Sequence, residues 1–222
     1  MEDQGYESND LVLAYEPPEE LFAGATELKE EGLLEFEPIG RDGLVFLVNE
    51  GNPVASLTQD QLRAVYRGDV TDWSALGGAR EPVIAFVRNE DSGSHAMFVK
   101  CLMHDEAVVD PQTVEVATAM GDLVEGIAEF GNGGGAIGYS VFYYADRMYA
   151  APDVKMLAVD GVVPSNESIA DGSYPLTSDF YAAIRADLPE DAPARLVYDW
   201  LLTEEGAALL REAGYVPVPA PQ

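Results

Sequence analysis

Short apolar runs alternate along this chain with longer amphipathic stretches, several of which end at glycine. Leu11-Val12-Leu13-Ala14 is an apolar run suited to a buried strand. Pro17 and Pro18 then open an acidic helix. Glu19 and Glu20 fill its first turn, where the helix dipole favours negative charge, and Gly32 closes it. Leu44 to Val48 reads as a second buried strand, closed by the turn residues Asn49 to Pro53. A helix begins at Leu57–Leu62 with Thr58 as its cap and ends at Gly68. Val83 to Val87 is a third strand. The Ser92-Gly93-Ser94 segment starts a helix that carries Met97, Phe98 and Leu102 toward a core. Thr113 to Phe130 reads as helical, Ala136 to Tyr139 as a short strand, and Val154 to Val159 and Tyr174 to Ile184 as extended. Residues 191 to 213 are helical, with a fresh start at Thr203 and a stop at Gly214; Pro217 to Gln222 reads as a frayed tail. Strands alternating with helices predict an α/β fold with mainly parallel sheets.

Charge narrows the function classes. Forty Asp plus Glu face twelve Lys plus Arg, a formal net charge of −28 over 222 residues. Such a chain repels a phosphodiester backbone, so nucleic acid is excluded as a partner, and the same sign disfavours an anionic membrane. With lysine only at positions 29, 100 and 155, the acid excess suits either adaptation to high salt or an ordinary solubilising surface. The one cysteine, Cys101, allows no intramolecular disulfide and reads as a small buried residue. Residues 1 to 9 show neither a basic nor an apolar signal region, so no secretory leader is expected there.

The chemistry concentrates between Val83 and Phe98, VIAFVRNEDSGSHAMF. Arg88 follows a buried strand, at the carboxyl end where open α/β sheets place their ligands. Ser92-Gly93-Ser94 then opens a helix, whose first N–H groups have no intrahelical partner. Gly93 permits close approach of a ligand, Ser92 and Ser94 add hydroxyls, and Arg88 adds a planar fork of donors matched to a tetrahedral oxyanion. Glu90 is near enough in sequence to hold Arg88 by an ion pair. The same residues also describe a serine-capped helix beside a surface arginine. Other constellations are weaker. His95 and His104 fall roughly 180° apart on a helix and do not converge on a metal. Ser92 and Ser94 lack the base and orienting group of a nucleophile. The glycines of 131–135 lack the Lys-Ser/Thr of a phosphate loop. Tyr139, Tyr143, Tyr144 and Tyr149 suit packing better than a sugar platform.

These residues carry a resemblance. Leu44 to Asn49, Asn52-Pro53-Val54, Ser56-Leu57-Thr58, Gln61-Leu62, Tyr66-Arg67-Gly68 and Trp73 resemble a stretch of the phosphate-binding proteins of ABC importers, the PstS-like family. Arg88 with Ser92-Gly93-Ser94 matches that family's next landmark. Ala136-Ile137-Gly138-Tyr139, Tyr174 to Thr177, Glu205-Gly206 and Gly214 to Val218 follow in the same order.

The resemblance implies a two-lobed type II periplasmic binding protein fold. One lobe would comprise residues 1–49 plus 154–222 and the other 50–153, with the ligand in the cleft between them. It implies a non-enzymatic receptor without cofactor, in an extracytoplasmic, cell-surface or periplasmic place, that delivers inorganic phosphate to the membrane subunits of an ABC importer. Arg88, Ser92, Gly93 and Ser94 would bind phosphate oxygens. Glu16, after the first strand, would accept the proton of monohydrogen phosphate. Sulfate has no such proton, and a carboxylate facing it in a dry site would cost several kcal/mol. Glu16 also reads simply as a helix-start charge ahead of Pro17. The chain departs from the family pattern in three places. Asp91 stands where the family carries Gly, and His95 where it carries Arg or another polar residue. Only nine residues precede Asp10, so the first lobe is expected to be incomplete at its N-terminus. That would leave an exposed sheet edge inviting a homodimer or a partner strand. The alternatives are a truncated or degenerate fold serving as an interaction or sensing module, or a site for another oxyanion.

Overall fold

A computed structural model describes residues 10–17, 19–104, 106–108, 114–117, 119–129 and 135–218. In chain order the first elements are β1 (Leu11–Tyr15), α1 (Glu19–Glu30), β2 (Leu34–Asn49), β3 (Ser56–Leu57), α2 (Gln59–Tyr66), β4 (Ile84–Arg88) and α3 (Gly93–Phe98). α3 continues as a wider turn over Val99–Met103. There follow β5 (Val114–Ala117), α4 (Met120–Glu129), β6 (Ala136–Val141), β7 (Val154–Met156), β8 (Ala158–Val159), α5 (Asn166–Ala170), β9 (Thr177–Arg185), α6 (Pro193–Leu201), α7 (Glu204–Ala213) and β10 (Val216–Pro217).

The chain divides into two compact units: Met1–Gly40 with Asp179–Ala213 and Pro217–Gln222, and Arg41–Ser178 with Gly214–Val216. These borders fall inside β2 and β9, away from the 49/50 and 153/154 borders implied by the resemblance.

In the first unit β1 runs antiparallel to β9, from Leu11 opposite Ile184 to Tyr15 opposite Phe180. β9 in turn neighbours β2. The core holds Phe36, Ile39, Phe180, Ala182, Ile184, Tyr198 and Leu201. Phe22 of α1 meets Phe36 and Tyr181 edge-on or tilted, at 5.6 and 5.5 Å between ring centroids. Arg195 forks onto both oxygens of Glu35 at 2.6 and 2.8 Å, and this partner holds the Glu35 carboxyl below its ordinary range. The expectation that Leu11–Ala14 is buried is overturned: Val12 is 41% and Leu13 58% exposed. β1 is the terminal strand of its sheet, so its apolar side chains have no neighbouring strand on one side among the described residues.

In the second unit β2 is flanked antiparallel by β6 and by β7. β4 lies parallel to β6 and to β5. The described pairings are therefore mixed rather than mainly parallel. Leu44 to Val48 is fully enclosed, as expected of a central strand. Tyr66, Phe98, Tyr139 and Phe46 form an aromatic cluster beneath it. Phe98 stacks on Tyr139 at 4.1 Å and 2°, and Tyr66 meets Phe98 edge-on at 4.7 Å. Thr58 caps α2 as read from the sequence, in a reciprocal box with Gln61. Trp73 is buried and donates its indole N–H to the Gly135 carbonyl at 2.8 Å.

Three readings need correction. β2 begins ten residues before Leu44. Val114–Ala117, read as helix, is a strand paired with β4 from Ala85↔Val114 to Arg88↔Ala117, and the helix starts only at Met120. Pro217, read as the start of a frayed tail, belongs to β10, and the Val218 N–H donates to the Ile39 carbonyl. Readings placed on Pro18, Thr113, Phe130, residues 131–134 and the tail beyond Val218 lie outside the described residues.

Candidate functional site

The second unit carries four of the expected ligand residues on one strand–turn–helix segment, the candidate cradle. β4 is an interior strand, parallel to its neighbours on both sides, and Arg88 is its last residue. The chain then turns: Ser92 N–H donates to the Asn89 carbonyl at 3.0 Å, and α3 begins at Gly93. Ser92 is the cap foreseen from sequence, its hydroxyl accepting from His95 N–H at 3.2 Å. The Ser92 and Ser94 hydroxyls lie 3.4 Å apart, and Ser94 is buried. One short turn thus separates Arg88, at the strand end, from the two serines and the first amides at the helix start.

Arg88 is the anomaly of this turn. Its Nε and Nη1 are sealed from solvent and have no hydrogen-bond partner within the protein. Asn89 Oδ1, next along the chain, is in the same state. A buried guanidinium nitrogen without an acceptor costs free energy, so native proteins rarely leave one unpaired. The expected ion pair with Glu90 is not formed among the described residues. The turn leaves Glu90 and Asp91 on the exposed surface, where neither carboxylate neutralises Arg88.

Two residues of this site were missed in the sequence. Tyr139 of β6 is fully buried, and its hydroxyl accepts the backbone N–H of Arg88 at 3.0 Å. The same oxygen lies 2.9 Å from Nδ1 of His95. Burial raises the Tyr139 phenol well above its ordinary range and lowers the His95 imidazole, with the Glu90 charge opposing the latter. From the sequence, Tyr139 reads as packing, and His95 as a departure from the family pattern with no role in the site. Their partner lies across the sheet, and no local pattern announces it.

Glu16 does not belong to this cradle's unit. It follows β1 in the first unit, half-buried, with its backbone N–H on the Asp179 carbonyl at 3.1 Å. Cys101 is half-buried, its thiol 3.6 Å from the Thr177 carbonyl. Among the described residues no helix is long and apolar enough to cross a membrane.

The sequence profile described as a PBP superfamily domain matches residues 7–205. The chain is 25% identical over 177 residues to the phosphate-binding protein PstS of Bacillus subtilis, covering 79% of this chain and 55% of that one. It is 27% identical over 203 residues to the protein of the same name from Pseudomonas aeruginosa, covering 82% and 60%. It therefore spans little more than half the length of these relatives. Among solved structures, a putative phosphate ABC transporter substrate-binding protein with bound phosphate from Clostridium perfringens aligns with TM-score 0.74 at 24% identity, over 95% of this chain and 79% of that one. An ABC-type phosphate transport receptor from Vibrio cholerae aligns with TM-score 0.73 at 22% identity, over 94% and 80%. At these identities the structural likeness speaks for the fold: α/β, of the type II periplasmic binding protein kind.

Proposed function

The chain belongs to the PBP superfamily, and on that premise we propose that it is a non-enzymatic receptor for inorganic phosphate serving an ABC phosphate importer outside the cytoplasmic membrane. The observation that carries the reading is that Nε and Nη1 of Arg88 are buried without acceptors, in the same strand–turn–helix segment as Ser92, Gly93 and Ser94. A tetrahedral oxyanion supplies the acceptors that Arg88 lacks. Its oxygens match a guanidinium edge two at a time and take further bonds from the serine hydroxyls and the first amides of α3. The names of the relatives from Bacillus subtilis and Pseudomonas aeruginosa support the choice of phosphate among oxyanions. Glu16 is proposed as the acceptor of the ligand's proton, which would disfavour sulfate. The division into lobes 1–49 plus 154–222 and 50–153 belongs to the same proposal.

The test is calorimetric titration of the chain with phosphate and, separately, sulfate at moderate salt. Saturable phosphate binding at one site with sulfate silent supports the reading. A folded chain that takes up no phosphate overturns it. A second reading, in which an open sheet edge serves as a homodimer or protein-interaction surface, draws on the exposed Val12 and Leu13 of β1. Sedimentation velocity decides it: a monomer at all concentrations removes the homodimer.

A further inference from the structure

We propose that the Tyr139 hydroxyl is a positioning group for the anion cradle: it locks His95 as the neutral Nε2–H tautomer and ties the end of β4 to the start of α3. The inference rests on the cradle being the phosphate site, but its geometry stands by itself.

A phenol oxygen carries one proton and two lone pairs. One lone pair of Tyr139 takes the Arg88 backbone N–H at 3.0 Å. The remaining hydroxyl proton has an acceptor at 2.9 Å, Nδ1 of His95, provided that nitrogen is unprotonated. The imidazole proton then sits on Nε2. The opposite assignment, Nδ1–H donating to the phenol, crowds a second donor onto the oxygen and strips the phenol proton of this partner in a buried place. Burial of both groups favours the same choice, since it keeps the phenol protonated and the imidazole uncharged. The charged and titratable groups around this pair are Glu90, Arg88 and Tyr66. Glu90 acts on His95 from the exposed side of the turn, and Tyr66 is held un-ionised by full burial.

The ring itself has no freedom. Phe98 of α3 stacks flat on it, and Tyr66 of α2 meets it edge-on at 5.8 Å. The hydroxyl is therefore fixed relative to both helices. The contacts run from the Arg88 backbone N–H to the Tyr139 hydroxyl and from Tyr139 O–H to the His95 ring, while the His95 backbone N–H donates to the Ser92 hydroxyl. These contacts span the cradle from the residue bearing the guanidinium to the residues bearing the hydroxyls. Tyr139 touches no ligand atom in this account. It sets the spacing between groups that do, and preorganised spacing lowers the ordering cost of binding.

The experiment uses the full chain labelled with ¹⁵N-histidine. It contains only two histidines, so His104→Gln assigns the spectrum. At neutral pH the His95 ring is expected as the Nε2–H tautomer with an unprotonated Nδ1. Tyr139→Phe, which keeps the stacked ring, is expected to lose this fixed tautomer and to bind phosphate about tenfold more weakly, the scale of one lost buried hydrogen bond. His95→Asn places an amide oxygen near the position of Nδ1 and is expected to regain most of the affinity that His95→Ala loses. A protonated Nδ1 in the parent, or parent-like phosphate affinity in Tyr139→Phe, overturns the proposal. Should Tyr139→Phe fail to fold, equal losses in His95→Asn and His95→Ala overturn it instead. If the parent binds no phosphate, the functional reading falls. The tautomer of the parent against that of Tyr139→Phe then still upholds or overturns the positioning role.

Discussion

Replacing Arg88 by methionine is expected to make the unliganded protein more stable while destroying the proposed anion site. Methionine retains much of the apolar stem and removes the guanidinium, whose Nε and Nη1 are buried without partners. Each buried donor left unsatisfied costs about 1–3 kcal/mol. Two such atoms set an upper range of roughly 2–6 kcal/mol, and the half-buried state of the residue as a whole favours its lower half. Against this stands some lost packing, so a net gain of about 2 kcal/mol is expected. For a chain of 222 residues that corresponds to a Tm higher by roughly 4–8 °C in phosphate-free buffer. With phosphate at a hundred times its Kd the order reverses, because the parent gains about 2.7 kcal/mol from binding and the variant gains nothing. Calorimetric affinity should fall by roughly 1,000-fold or more, about 4 kcal/mol and within the range for truncating one side of a buried charge pair. Thermal melts of both proteins, dialysed free of phosphate and then with phosphate restored, make the comparison. A variant that melts below the parent without phosphate, or that phosphate stabilises equally, refutes the argument that Arg88 is an unpaired charge awaiting an anion.

Glu16→Gln should narrow the preference for phosphate over sulfate, and an unchanged affinity ratio in paired titrations would count against its role as proton acceptor. His95 resists protonation in the folded state, so its contribution to stability is present above the ordinary histidine range and lost as pH falls through its lowered value. Urea midpoints should therefore drop more between pH 7 and 5 for the parent than for His95→Gln, and parallel curves would contradict this. The Glu35 contribution is lost at lower pH, below its ordinary 4.5, because Arg195 holds that carboxyl ionised. Gly135→Ala would set a methyl 2.6 Å from the Pro82 carbonyl oxygen. It should cost about 2 kcal/mol and lower Tm by roughly 4–8 °C, and an unchanged melt would refute the close approach. Raising ionic strength from about 0.01 to 0.15 M should speed phosphate association, since it shortens the reach of the net −28 charge from roughly 30 to 8 Å. Stopped-flow association that slows with salt would show attractive steering instead.

The parts of the fold that were legible in the sequence are those whose cause is local. Leu44–Val48 and Ile84–Val87 are enclosed strands written as unbroken apolar runs. Thr58, Ser92 and Thr203 are caps written as a hydroxyl before a helical pattern, and Thr203 accepts from Gly206 N–H at 3.2 Å as a cap should. What was not legible has a distant cause. Leu34–Gly43 carries Glu35, Glu37, Arg41 and Asp42, which disguise a strand. Glu35 is tolerated there because Arg195 arrives from 160 residues away to pair with it. Val114–Ala117 merges by pattern into the helix that follows, and only its pairing with β4 makes it a strand. Leu11–Ala14 has the composition of a buried strand but sits at a sheet edge, a matter of topology that no single strand encodes.

The candidate site divides in the same way, and the division explains why its arginine stands apart. Strand end, turn and capped helix are contiguous, so Arg88, Ser92, Gly93 and Ser94 were readable together. Tyr139 reaches the site from 51 residues away, and its hydroxyl carried no signal. In a chain with 40 acidic and 12 basic residues an exposed arginine readily finds a carboxylate. Arg63, Arg67, Arg147, Arg185, Arg195 and Arg211 each have one within 4.0 Å. Arg88 has two carboxylates within three residues of sequence and pairs with neither. The turn that Ser92 closes onto Asn89 keeps Glu90 and Asp91 at the surface, while burial keeps the remaining acids away. The chain's acidity therefore sharpens the inference: where neutralising groups are so abundant, a guanidinium left unpaired is held so by the fold. On the proposed reading, the acceptors missing from Arg88 are those of the bound anion.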